Sequence, residues 1–162
     1  MPKISTRLFS GAKHWVSKKV GMPPGSLIHI GEDHSRETEI SLISYGARGV
    51  ETRILDSVDA LSHYQAGDAI TWLNIVGLAD IKAIEAIGQH FDIHRLVLED
   101  ILNTHQRPKC EHHDSFIYLV LTSLVIPEPG ADRTVIQGLK SGIQYQQVSI
   151  LLLDRFVITF EE

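Results

Sequence analysis

Residues 94–109 read His94-Arg95-Leu96-Val97-Leu98-Glu99-Asp100-Ile101-Leu102-Asn103-Thr104-His105-Gln106-Arg107-Pro108-Lys109, and the organisation of the chain turns over within them. Val97, Leu98, Ile101 and Leu102 recur at helical spacing, so a helix over residues 94–102 is expected to bury one apolar stripe. The ring of Pro108 forbids its continuation. Glu99 and Asp100 are neighbours on this helix, where successive side chains diverge by roughly 100°, so their carboxylates should meet different surroundings. From spacing alone the acidic pair reads as a solvated helix face.

Working back from this stretch, Asp80 is placed as the N-cap of an earlier helix whose Ile81, Ile84, Ile87 and Phe91 share one face. Residues 69–76, with Trp72 and Ile75, read as a buried strand, and a short helix is expected over 56–64. Three short strands precede them, at 27–30, 39–45 and 50–54; in the last, Val50, Thr52 and Ile54 alternate with Glu51 and Arg53. Gly31-Glu32-Asp33 and Gly46-Ala47-Arg48-Gly49 look like the hairpin turns between them. Residues 1–26 are mixed and basic and end in Gly21-Met22-Pro23-Pro24-Gly25, which suits an arm leading into a domain over 27–162.

Beyond Lys109 the pattern changes to long strands at 115–126 and 143–153, joined by a polar connection that begins Pro127-Glu128-Pro129-Gly130. Asp154-Arg155 then turns the chain into a last strand at 156–160. Strands, then helices, then long neighbouring strands imply an α/β (α+β) fold, a mixed β-sheet with helices packed on it.

The chain has 162 residues, 43% of them apolar and 22% charged, enough for one domain with a sizeable core. Its formal charge of −5, with no basic run longer than Lys18-Lys19, argues against a nucleic-acid partner. The most apolar stretch, 116–126, is interrupted by Thr122-Ser123 and falls well short of the roughly 20 residues that span a bilayer. The single cysteine, Cys110, excludes an internal disulfide and a multi-cysteine metal cage. Lys13, His14, Lys18 and Lys19 interrupt any apolar export signal near the start, so exposure to the cytosol is expected.

Five of the nine histidines, His90, His94, His105, His112 and His113, lie close together in sequence. The zinc-protease pattern requires Glu directly after the first histidine of an i, i+4 pair, and Phe91 follows His90. Cys110, His112 and His113 are too closely spaced for a four-ligand zinc finger. Surface histidines beside a turn is the favoured reading. The nucleophile elbow, the phosphate loop and the dinucleotide glycine pattern are all absent. No catalytic residues are expected.

Trp72-Leu73-Asn74-Ile75, the block from His94 to Lys109, Gln147-Val148-Ser149-Ile150-Leu151 and Phe156-Val157-Ile158-Thr159-Phe160-Glu161-Glu162 together resemble the amino-terminal cytoplasmic domain of the CorA family of magnesium and cobalt channels. Lys18-Lys19-Val20-Gly21-Met22-Pro23-Pro24-Gly25-Ser26-Leu27 extends the resemblance on the amino side. It implies an α/β/α sandwich with the mixed sheet between helical layers. It implies further a homopentamer in the cell membrane, with this segment cytoplasmic and followed by a stalk and two transmembrane helices. Gly21-Met22 is followed by Pro23 and is not that family's Gly-Met-Asn pore motif. Arg95 stands where relatives often carry Pro.

Carried over by position, the resemblance assigns Asp100 to a regulatory Mg²⁺ site shared with a stalk carboxylate of the neighbouring subunit. It assigns Glu99 to a second ion nearby, and Met22 to a backbone carbonyl beside it. The partners implied are divalent cations, Mg²⁺ first, with Co²⁺ or Zn²⁺ as alternatives. A zinc-transporting relative, favoured by His105, His112 and His113, is the second reading, and a soluble metal-dependent enzyme on the same sandwich is the third.

Overall fold

A computed structural model describes residues 21–31, 37–47, 49–64, 68–125 and 144–162. The arm up to residue 20, the turn expected after Gly31 and the 127–142 connection lie outside them.

The period-two stretches form strands. β1 (Glu39–Gly46) and β2 (Gly49–Leu55) make an antiparallel hairpin in which Gly46 pairs with Gly49. β3 (Ile70–Val76) lies antiparallel on the other side of β1. The expected short helix is a 3₁₀ helix, Val58–His63, and its N-cap Ser57 makes no side-chain cap bond. α1 (Ile81–His90) begins at Asp80, whose carboxylate accepts from the backbone N–H groups of Lys82 and Ala83. That satisfies two of the donors a helix start leaves unpaired. α2 (Arg95–Ile101) follows, with His94 as its N-cap. β4 (Lys109–His112), β5 (Ile117–Val125), β6 (Gln144–Leu152) and β7 (Phe156–Glu161) complete a seven-stranded sheet of order β2-β1-β3-β7-β6-β5-β4.

Its pairs are antiparallel except β3 with β7. The fold is therefore a mixed sheet with helices packed on it, as the order of elements implied. One cluster holds the core: Ile84 and Ile87 from α1, Val97, Leu98 and Ile101 from α2, and Leu42, Leu73, Ile75, Tyr118, Leu151, Ile158 and Phe160 from the strands. Gly88 lets the helices meet, because a Cβ there would overlap the side chain of Leu98.

On β3 the alternation splits the Trp72-Leu73-Asn74-Ile75 tetrad. Leu73 and Ile75 are fully buried in the core, whereas Trp72 and Asn74 are half-buried and point the other way. There the Trp72 indole N–H donates to Thr159 Oγ1 at 2.8 Å, and the Thr159 hydroxyl donates to Asn74 Oδ1 at 2.6 Å. This chain joins the two parallel strands at the middle of the sheet.

Two expectations need correction. Residues 27–30 form no strand: Ile30 makes a single bridge, donating to the carbonyl of Leu102 and accepting from the N–H of Thr104. The chain leaving α2 offers one rung at Asn103 and no extended partner beyond it. The short strand β4 is not anticipated by the sequence pattern, and His112, expected as a surface histidine beside a turn, is on it.

Candidate metal site at the end of the second helix

α2 carries Glu99 and Asp100 on its final turn, and the helix separates them as its geometry requires. Glu99 reaches back to the amino-terminal segment, where its Oε2 accepts from the backbone N–H of Gly25 at 2.5 Å. Gly25 is buried with φ +82°, a left-handed conformation natural to glycine. Arg95 holds the same residue from the start of α2: its Nε donates to the Gly25 carbonyl at 3.3 Å, and its guanidinium pairs with Glu85 at 2.7 Å. Met22, further along the segment, is exposed.

Asp100 faces the loop that follows α2. That loop returns as β4, and Gln106 and Lys109 approach the carboxylate from it. Gln106 Nε2 donates to Asp100 Oδ1 at 3.0 Å, while its own backbone N–H donates to Gln147 Oε1 on β6 at 3.0 Å. Lys109 Nζ donates to Asp100 Oδ2 at 2.6 Å and to Glu111 Oε1 at 2.9 Å. It also lies 5.2 Å from the ring centroid of Tyr118, a cation–π distance. The side chains of Lys109, Asp100 and Glu111 are all partly open to solvent, at 25%, 34% and 43%. The ion pairs are therefore screened, and each is worth about 1 kcal/mol or less.

Partial burial pulls the Lys109 ammonium towards losing its proton, but the hydrogen bonds and charges of Asp100 and Glu111 outweigh it and raise its pKa. Burial also pushes the Tyr118 phenol up to about 12, against the weak contact of its hydroxyl with Ser149 Oγ at 3.5 Å.

Asp100 is the kind of oxygen donor that a loosely held magnesium ion takes. Asp100 offers hard carboxylate oxygens at a half-exposed position, and Mg²⁺ keeps most of its waters while taking one or two carboxylates. Two carboxylates already bear on one positive charge, that of Lys109. Nothing here is a closed cage: among the described residues no three His, Cys, Asp or Glu side chains converge.

Among the described residues no three histidines gather into a metal site. His94 Nδ1 accepts from the N–H of Leu96, His90 lies edge-on to Phe91, and His113 stacks on Phe116 with its Nε2 3.8 Å from Glu111. Gln106, Lys109 and Glu111 carried no role in the sequence reading. Gln106 and Lys109 meet Asp100, and Glu111 meets Lys109, through the path of the loop between α2 and β4, which no spacing rule encodes.

A family model described as CorA-like Mg²⁺ transporter protein matches residues 67–162, which include both helices and β3 to β7. The chain belongs to the CorA family. The cobalt/magnesium transport protein CorA of Thermotoga maritima is 31% identical over 147 residues, which cover 91% of this chain and 39% of that protein. The chain thus spans about two fifths of the length of this CorA relative. Among solved structures, the full-length CmaX protein superposes with a TM-score of 0.55 at 11% identity, over 80% of this chain and 36% of that one. That likeness concerns the fold alone. The soluble domain of CorA from Methanocaldococcus jannaschii gives a TM-score of 0.47 at 14% identity, over 74% of this chain and 39% of the other. CorA proteins are transporters of magnesium and cobalt, not enzymes. None of the described helices is long and apolar enough to cross a membrane.

Proposed function

We propose that this chain is the cytoplasmic metal-sensing part of a CorA-type divalent cation channel, and that Asp100 is the residue through which it reads Mg²⁺. The observation that carries the reading is the Asp100 carboxylate itself. It is half-exposed at the end of α2, held in place by Gln106 and already engaged with a cation. In the assembled protein, a homopentamer, its partner is a carboxylate on the stalk of the neighbouring subunit. Glu99 serves a second ion nearby, at the junction with the segment around Met22 and Gly25.

A sensor of an abundant ion must bind it weakly. A millimolar site is worth about 4 kcal/mol at the standard state. Occupied at tenfold its dissociation constant, it stabilises the bound arrangement by roughly 1.4 kcal/mol. Five such sites supply about 7 kcal/mol, more than the roughly 5.5 needed to move a two-state equilibrium from 1:99 to 99:1. Acidic subunits around an axis repel one another, bound cations suppress the repulsion, and loss of the cations loosens the ring and opens the gate.

Replacing Asp100 by Ala in the full-length protein is expected to weaken the protection that Mg²⁺ gives against proteolysis. Protection unchanged from wild type would sink the assignment. Uptake of Mg²⁺, Co²⁺ and Zn²⁺ by the complete protein identifies the cargo.

A further inference from the structure

We infer that Lys109 is a built-in competitor for the cation at Asp100, a tethered charge that an incoming Mg²⁺ must push aside and that keeps the site's affinity low. The inference rests on the assignment of Asp100 as the sensing residue and adds how that site is tuned.

Three features of the site lead to it. First, the ammonium makes a close contact with Asp100 Oδ2, at 2.6 Å, and Gln106 occupies Oδ1, so both carboxylate oxygens are already engaged. Each oxygen keeps a second lone pair, so a metal ion or its water shell taken up there sits within reach of the ammonium. Second, Lys109 begins an edge strand that pairs with β5 along its length, so its backbone is fixed and its charge cannot diffuse away as a solution cation would. Third, it has somewhere to go. Glu111 Oε1 accepts from the same Nζ at 2.9 Å and lies two residues along the same strand, able to keep the ammonium once Asp100 is given up.

Charge decides the sign. A divalent ion placed on Asp100 while Lys109 stays within about 4 Å would meet a strong like-charge repulsion even at the effective dielectric of a protein surface. Binding therefore proceeds with Lys109 swung towards Glu111. Because the two cations exclude one another, linkage is reciprocal: whatever holds Lys109 on Asp100 weakens Mg²⁺, and Mg²⁺ frees Lys109 by the same factor.

The test is made on the full-length protein with Mg²⁺ as the probe and ionic strength held constant with KCl. The Mg²⁺ concentration giving half-maximal protection from a protease is compared in wild type, Lys109→Met, Lys109→Arg and Asp100→Asn, alongside the rate at which an amine-acylating reagent modifies Lys109 in the wild type. Lys109→Met is expected to lower the half-protection concentration by up to about fivefold, the worth of a screened ion pair, while Lys109→Arg, which keeps the charge, leaves it near wild type. Mg²⁺ is expected to speed acylation of Lys109 in the wild type, an effect that needs no variant to fold. If Asp100→Asn abolishes protection yet Lys109→Met matches wild type and acylation ignores Mg²⁺, Asp100 remains the sensor and the competitor role of Lys109 is overturned. If Asp100→Asn itself is protected like wild type, the assignment of Asp100 falls and this inference falls with it.

Discussion

Glu99 and Asp100 differ by one position and do unlike things: the Glu99 carboxylate accepts from the backbone N–H of Gly25, and the Asp100 carboxylate pairs with the Lys109 ammonium. Replacing Glu99 by Ala deprives the Gly25 N–H of its acceptor, a loss worth about 1–3 kcal/mol when the group is buried. The Gly25 amide is then expected to exchange with solvent at least about tenfold faster, which hydrogen exchange would detect. Tyr118 supplies a second residue-scale prediction. Its neutral phenol is favoured in the folded state, where its pKa lies at about 12 against an ordinary 10.0. A raised acid pKa means that the folded state holds the proton longer, so this stabilisation is present below pH 10 and is lost as pH rises towards 12. The raised pKa of Lys109 acts in the same direction, above 10.5. Stability measured by denaturant titration should fall by about 1.4 kcal/mol per pH unit over that window from Tyr118 alone. Tyr118→Phe is expected to flatten the fall, and an unchanged slope would count against it. The divergence of the two carboxylates was legible beforehand, because helix geometry is local. The Lys109–Asp100 contact was not, because it is set nine residues away by the path of a loop.

At the scale of elements, α1 shows what sequence states well. Asp80 followed by Ile81, Ile84 and Ile87 carries both a cap and a face, and both are where the spacing put them. β4 shows the opposite case. Its four residues, Lys-Cys-Glu-His, follow a proline and hold no apolar alternation, and it is a strand because β5 offers an edge to pair with. Residues 27–30 look more like a strand than β4 does, yet lack such an edge. Propensity yields to the partner available. The contact between α1 and α2 makes a sharper prediction. Gly88→Ala gains helix propensity but drives a methyl group into Leu98, which is itself buried, and overpacking of this kind costs about 1–3 kcal/mol. Thermal unfolding should show a net loss, and shortening the neighbour with Leu98→Val in the same chain should recover part of it. A Gly88→Ala variant as stable as wild type would mean that the helices separate at little cost.

For the whole molecule the decisive feature is the place of β7. It is the last of the seven strands along the chain and the fourth across the sheet, flanked by β3 and β6. Deleting residues 156–162 would remove Ile158 and Phe160 from the core and leave two three-stranded pieces facing one another across a gap. Cooperative melting followed by circular dichroism is expected to disappear in that variant. The mixed character of the sheet was legible in the sequence, since helices between strands call for a crossover. The central position of the final strand was not, because strand order is fixed by which edges remain open after nearby hairpins close. The same placement has a cost in time during synthesis. The β1–β3 meander can form early, but Phe156 lies 80 residues beyond Val76, so at about 5–20 residues per second the ribosome needs roughly 4 to 16 s to deliver the strand that covers the β3 edge. Throughout that interval a nascent chain carries an open, hydrogen-bond-hungry edge, and two nascent copies side by side on one message can pair β3 to β3 before either receives its own β7.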